Sequence, residues 1–274
     1  MLSITDHLVL RTIDGAADLL VGELRAMPSV RSVRQTSADT VACTVDGPLD
    51  ELAACPLYSF AEVESVSGRR LSWTQRFGRS ERLPWSTNLI AAEVLVRLAK
   101  IRPGHRLLDP FCGTGTILRA AHRHEPAARL LGVDRHRPTV HEAFAVVEGR
   151  AEALPLADRC VDRVVANLPF GKLVGSHRDN RRLYPAALAE LDRVLTPDGR
   201  VVLLTEDKRL LRDAVQQSPF KIVRERLLRY NGATPTAYVL TRARAGARAR
   251  AAERRSPSTP RATSRPRDRG TRAP

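Results

Sequence analysis

Two hydrophobic periods alternate along the chain, and their arrangement changes near residue 86. Upstream, "HLVLRTI" has the alternation of a half-buried strand, and "GAADLLVGELRAM" sets apolar residues at helical spacing. "VRSVRQTS" and "TVACTVDG" again read as strands, and "PLDELAACPLYSFAEVESV" as a further helix. Asp-Gly, Gly-Pro and Met-Pro junctions separate these runs, so residues 1–70 are expected to form a small α+β unit.

Downstream, helix and strand patterns take turns. "NLIAAEVLVRLAK" is an amphipathic helix, and "HRLLDP" is a short buried strand ending in an acid. "GTILRAAHRH" is helical, "ARLLGVDR" is a second strand ending in an acid, and "RPTVHEAFAVVE" reads as another helix. Next come the strand in "CVDRVVANLPF", the helix "YPAALAELDRVL" and the strand "VVLLTE". "FKIVRERLLRY" and "TAYVLTRA", joined by "NGATP", read as a hairpin. Such alternation predicts an α/β fold over residues 86–242, with a mostly parallel, doubly wound sheet and an antiparallel C-terminal hairpin.

Composition narrows the class. A chain of 274 residues with 43% hydrophobic content is long enough for one sizeable domain and a smaller one. Cys43, Cys55, Cys112 and Cys160 form no CxxC pair and have no histidine at ligand spacing. They read as reduced thiols of a cytoplasmic protein, which excludes a disulfide framework and a zinc site. Cys112 reads as a packing residue rather than a nucleophile. The histidines of "AHRHE" and "DRHRP" show no metal spacing, so no metal is expected. The first residues show no signal-peptide pattern, and no apolar run reaches the roughly 20 residues of a membrane span.

The net charge of +15 is unevenly placed. From Arg242 onward the chain holds eleven arginines against Glu253 and Asp268 and has almost no large apolar residue. Residues 243–274 are therefore expected to be a disordered Arg-rich tail, either a phosphate-attracting arm or a solubilising end. Residues 71–85 read as a basic linker. The stretch around it mixes five arginines with Trp73, Phe77 and Trp85, suited to stacking on nucleic acid or to pinning the linker to a domain surface.

"LLDPFCGTGTILRAA" puts Asp109 at a strand end and Gly113 and Gly115 in the turn before a helix. Glycines there let backbone approach a ligand closely, and the helix offers unpaired N–H groups. The spacing lacks the third glycine of the dinucleotide fingerprint and the lysine of the phosphate-binding loop. The next strand ends at Asp134, nineteen residues after Gly115, where an acid can accept hydrogen bonds from ribose hydroxyls or simply cap a helix. "ANLPFGKLVGSH" follows a later strand. The Asn167 side chain and the Leu168 carbonyl can accept from an exocyclic amine, Pro169 stiffens the turn, and Phe170 offers a stacking face.

The acid, the glycine turn and Asp134 resemble the cofactor half of the class I S-adenosylmethionine-dependent methyltransferases. "NLPFGKLVGS…LYPAALAELDRVLTPDGRVVLLTED" resembles the narrower THUMP-associated RNA guanine-N2 methyltransferases, over roughly residues 84–242. The resemblance implies a Rossmann-like sheet, S-adenosyl-L-methionine as cofactor and an RNA partner, tRNA first. Cofactor roles then pass to Asp109, Phe111, Gly113, Thr114, Gly115, Asp134 and Arg135. Arg150 stands where the family often has the acid that meets the adenine amine, so that wall falls to the Ala151 backbone and Glu152. Catalysis passes to Asn167, Leu168, Pro169 and Phe170, with Asn167 also beside the cofactor. Gly171, Lys172, Ser176 and Arg178 become substrate-binding positions. The N-terminal unit resembles the ferredoxin-like subdomain of those relatives, RNA-binding by implication, and leaves little room for a complete THUMP domain. The alternatives are rRNA guanine-N2, DNA adenine or protein glutamine methylation, and a non-catalytic RNA-binding protein that keeps the fold.

Overall fold

The computed structural model describes residues 5–64, 70–74, 86–135, 143–170 and 177–243. Two sheets result. The first begins with β1 (Thr5–Arg11), which turns Leu8 and Leu10 into the core and leaves His7 and Val9 outside. Helix α1 (Ala17–Ala26) buries Ala17, Leu20 and Leu24 against it. β2 (Val30–Gln35), β3 (Thr40–Asp46), β4 (Phe60–Glu64) and β5 (Arg70–Thr74) complete an antiparallel sheet of order β2-β3-β1-β4-β5. β3 lies between β1 and β2, and β1 between β3 and β4, which is the interlocked order of a ferredoxin-like fold with one strand added.

The helix expected after residue 48 is only α2 (Asp50–Ala54). Pro56 cannot continue it, and beyond Ser59, whose amide donates to the Arg11 carbonyl at 2.8 Å, the chain pairs with β1 as β4. β5 runs to Thr74, beyond the expected unit boundary at residue 70. Trp73 packs edge-on to Tyr58, with centroids 6.5 Å apart, and its indole N–H donates to the Tyr58 hydroxyl at 3.1 Å. Of the two fates foreseen for Trp73, packing is the one observed. Phe77 and Trp85 lie outside the described residues, as does the tail from residue 244.

In the second sheet, β6 (Arg106–Asp109), β7 (Arg129–Asp134), β8 (Ala145–Glu148), β9 (Val161–Asn167) and β10 (Leu195–Thr205) run parallel. β11 (Phe220–Leu227) and β12 (Thr236–Arg242) form the expected hairpin, with β12 antiparallel to β10. The order is β11-β12-β10-β9-β6-β7-β8. From β6 the chain winds outward to β8, then crosses back to β9 and winds the other way. The carboxyl ends of β6 and β9 therefore flank the crevice where such sheets bind ligands.

The helices are α3 (Leu89–Ala99), α4 (Thr116–His124), α5 (His177–Val194) and α6 (Lys208–Gln216). Two expectations fail here. "AFAVVE" forms β8 rather than a helix end. As an edge strand it leaves Ala145, Val147 and Glu148 exposed, so it has no buried run to mark it. Helix α6 was not foreseen, although its Asp207 cap and its buried Leu211, Ala214 and Val215 were legible signals.

The ferredoxin-like layer is tied to the larger sheet by charge. Glu93 of α3 is fully buried and takes Arg97 at 2.7 Å and Arg123 of α4 at 2.6 Å. Arg97 also reaches Glu23 of α1 at 2.8 Å, while Arg226 and Arg229 of the hairpin pair with Asp18 and Asp14. Gly15, at φ +91°, lies so close that an added Cβ would stand 2.2 Å from the Leu227 carbonyl oxygen.

Candidate active site

β6 delivers Asp109 to the crevice almost completely buried. Its Oδ1 accepts the Phe111 amide at 3.1 Å. Burial pushes the carboxyl up to about 8; the Phe111 hydrogen bond opposes the shift and nearby Asp134 adds to it. A buried carboxyl of this kind fits a ligand that brings a positive charge.

The turn that follows is fixed from both sides. The Cys112 amide donates to the Val133 carbonyl at 3.1 Å, and the Gly115 amide to the Cys112 carbonyl at 2.7 Å. Gly113 and Gly115 take φ of +47° and +76°, a region that side chains disfavour. A Cβ at Gly115 would lie 2.9 Å from the Phe144 ring, whereas one at Gly113 would meet nothing within 4 Å among the described residues. Gly113 therefore faces open space on the crevice side. Asp134, at the end of β7, accepts the Gly113 amide through Oδ2 at 2.8 Å, which braces the turn. Cys112 is buried, and burial together with Asp109 and Asp134 pushes its thiol up, consistent with packing rather than nucleophilic chemistry.

The next wall holds Ala151, buried, and Glu152, half-buried. Glu152 Oε1 accepts from Arg150 at 2.6 and 2.9 Å and from Arg135 at 3.3 Å. Burial raises the Glu152 carboxyl, but the Arg150 hydrogen bond and both arginine charges outweigh it, and the net direction is down. Its Oε2 is buried without a hydrogen-bond partner among the described residues. Arg150, where an acid was expected, thus secures the ionised form of the carboxylate two residues on.

Asn167 ends β9. Its Nδ2 donates to Thr87 Oγ1 at 3.2 Å, while its Oδ1 is buried with no partner among the described residues. The Leu168 amide donates to the Leu204 carbonyl at 2.9 Å and anchors the turn to β10. The Pro169 carbonyl accepts from Asn180 Nδ2 at 2.7 Å and from the Tyr184 hydroxyl at 2.9 Å, and Tyr184 also pairs with Thr205 Oγ1 at 2.9 Å. Phe170 is half-buried. Gly171, Lys172 and Ser176 lie outside the described residues; Arg178 is exposed on the first turn of α5.

The two halves meet through a residue pair that sequence patterns did not mark. Ser86 Oγ lies 3.3 Å from Thr114 Oγ1 in the glycine turn, and its neighbour Thr87 holds Asn167. Asn180 and Tyr184, also unmarked, sit one turn apart on the inner face of α5; a polar pair at that spacing on an otherwise apolar face was their only signal. Among the described residues, no three His, Cys, Asp or Glu side chains gather as a metal site, and no helix is long and apolar enough to cross a membrane.

Sheet order, switch point and the strand-end residues Asp109, Asp134 and Asn167 define a Rossmann-like methyltransferase fold. The chain belongs to the UPF0020 family, the RMKL-like methyltransferase domain, which it matches over residues 86–129 and 133–235. It is 35% identical over 179 residues to the tRNA (guanine(6)-N2)-methyltransferase of Thermus thermophilus, covering 61% of this chain and 53% of that one. It is 32% identical over 145 residues to the human tRNA (guanine(6)-N(2))-methyltransferase THUMP3, covering 44% of this chain and 29% of that one. The chain thus spans about half or less of the length of these curated relatives. In three dimensions it resembles the crystal structure of TrmN from Thermus thermophilus, with TM-score 0.71 and 20% identity over 87% of this chain and all of that one. A possible methylase from Clostridium difficile 630 gives TM-score 0.67 at 11% identity, over 88% of this chain and 99% of that one. These two likenesses support the fold.

Proposed function

We propose that the protein transfers a methyl group from S-adenosylmethionine to the exocyclic N2 amine of guanosine in RNA, with tRNA as the substrate. The buried Oδ1 of Asn167, which has no hydrogen-bond partner among the described residues, carries this reading: a carbonyl oxygen held there without a donor is matched by an N–H from the substrate. The crevice also fits the cofactor. Asp109 suits the ammonium of the amino-acid part, Gly113 leaves room for close approach, and the Glu152 Oε2 awaits a donor such as an adenine amine. Phe111, Thr114, Gly115, Asp134, Arg135 and Ala151 complete this wall, with Asp134 serving the ribose. The cofactor, when bound, supplies an electrophilic methyl on a sulfonium.

Everything else falls to side chains and backbone of this chain. Thr87 occupies the Asn167 amide nitrogen, so the Asn167 oxygen faces the amine. Together with the Leu168 carbonyl it accepts the two N–H groups and orients the nitrogen lone pair. As that nitrogen becomes positive, the two oxygens stabilise the developing charge. No strong base is needed, because the nitrogen becomes acidic once alkylated. Phe170 stacks on the extruded base. Gly171, Lys172, Ser176 and Arg178 contact the substrate strand, and the ferredoxin-like unit adds RNA-binding surface. We place the activity in the cytoplasm, in keeping with the free thiols Cys43, Cys55, Cys112 and Cys160.

Incubation with methyl-labelled cofactor and bulk tRNA, followed by digestion to nucleosides, tests the proposal. Label is expected in N2-methylguanosine; label in methyladenosine, or none in any RNA, overturns it.

A further inference from the structure

The helix that holds the catalytic turn also carries a row of positive charge. Arg178, Arg181 and Arg182 lie at i, i+3 and i+4 on the first two turns of α5, and all three are exposed. None has an ion-pair partner among the described residues. Some surface arginines of this protein do, Arg106, Arg193, Arg212 and Arg229 each lying within 3.0 Å of a carboxylate, while others such as Arg102 and Arg129 have none among the described residues; what sets the α5 row apart is its clustering beside the site. One residue before the second member of the row, Asn180 turns inward to the Pro169 carbonyl. The row therefore starts within one helical turn of the site.

Arg181 of the row lines a groove between α5 and α6 of about 550 Å³, with Pro185 on the same side and Arg209 on the other. Arg209 extends into solvent with 95% of its side chain exposed. The acids in this groove have partners in the fold: Asp207 Oδ1 accepts the Leu210 amide at 3.2 Å, and Asp213 lies 3.9 Å from Arg209. Because α6 starts where β10 ends, the groove opens at the same sheet edge as Asn167.

We infer that this groove holds the RNA backbone beside the target guanosine, with Arg181 and Arg182 on its phosphates and Arg209 across from them. The inference rests on the reading of the site as an RNA methyltransferase and extends it to residues outside the crevice. Arg181 and Arg209 lining an open groove, with Arg178 and Arg182 exposed beside it and only Arg209 within ion-pair distance of a carboxylate among the described residues, suit a polyanion that passes the site rather than a small molecule enclosed in it. Guanidinium forks match phosphate geometry in pairs, which sets the register of the strand without reading its sequence. Binding there leaves the nucleotide next to it free to turn into the crevice.

The double reversal Arg181→Glu/Arg182→Glu tests this against a charge-matched control at the amino ends of the parallel strands, Arg102→Glu/Arg129→Glu, whose side chains are also exposed. RNA affinity is measured across a salt series, cofactor affinity by calorimetry and methyl transfer by labelling. The α5 variant is expected to weaken RNA binding at least tenfold, with cofactor affinity within twofold of wild type. The slope of log affinity against log salt should become shallower by about 1.4, as for two single-strand phosphate contacts at about 0.7 each. The control should change affinity less than twofold. RNA affinity unchanged in the α5 variant, or an equal loss in the control, overturns the inference while wild-type labelling of guanosine leaves the enzymatic reading standing. Loss of RNA binding in the α5 variant, with no methyl transfer by the wild type, overturns the enzymatic reading and leaves the RNA groove standing.

Discussion

Thr87 accepts a hydrogen bond from the side-chain amide nitrogen of Asn167, 80 positions further along the chain, at 3.2 Å. The contact decides which end of an ambivalent amide faces the crevice. Replacing Thr87 by Val keeps the shape and removes the acceptor. Turnover is expected to fall by about fivefold, the effect of one hydrogen bond worth about 1 kcal/mol, with RNA and cofactor affinities unchanged. Thr87→Ser should restore most of the rate. Single-turnover kinetics on the two variants checks this, and equal rates for Val and wild type would refute the orienting role.

Asn167→Ala removes the oxygen that has no hydrogen-bond partner among the described residues. Methyl transfer should drop at least a hundredfold, in the range for loss of a preorganised group facing developing charge. RNA affinity should stay within about twofold, since phosphate contacts dominate it. Parallel filter-binding and labelling assays separate the two, and a large loss of RNA binding would contradict the assigned role.

Asp109 makes apo stability depend on pH. Its folded carboxyl titrates near 8 and its ordinary value is 3.8, so between these values the folded state binds more protons than the unfolded. Stability from this group is therefore full below about pH 4 and is lost as pH rises towards 8. Asp109→Asn should flatten that part of the profile. Thermal midpoints of both proteins at half-unit pH steps measure the difference, and identical slopes would refute the raised carboxyl.

Glu93 joins α3 to α4 and, through Arg97, to α1 of the ferredoxin-like layer. Glu93→Gln leaves Arg97, only 11% exposed, short of its buried counter-charge. A loss of about 3–5 kcal/mol in unfolding free energy is expected, typical of breaking one side of a buried pair. Denaturant midpoints measure it; a change below about 1 kcal/mol would show the pair to be dispensable.

Where the candidate site residues would fall in the fold was legible because the signals are local. Asp109, Gly113, Gly115, Asp134 and Asn167 each stand where an apolar run stops, and a strand end beside a glycine turn marks a crevice whatever surrounds it. β8 was not legible, since a four-residue edge strand with one covered face imitates part of a helix. Glu93 looked like an ordinary polar interruption of "NLIAAEVLVRLAK"; only the arrival of Arg123 and of Arg97's second partner, Glu23, explains its burial.

The sequence alone determined the order of most strands and helices, the positions of the acids and glycines near strand ends, and the hydrogen-bonding groups that the "NLPF" turn carries, because these depend on periodicity and residue type. Tertiary structure decided the rest. It chose Trp73 for packing and gave Pro169 two donors from α5. It also committed the Asn167 nitrogen to Thr87, so that the oxygen remained. Such hydrogen bonds join residues far apart in the chain, and no local pattern encodes which distant donor or acceptor the packed core will bring within reach.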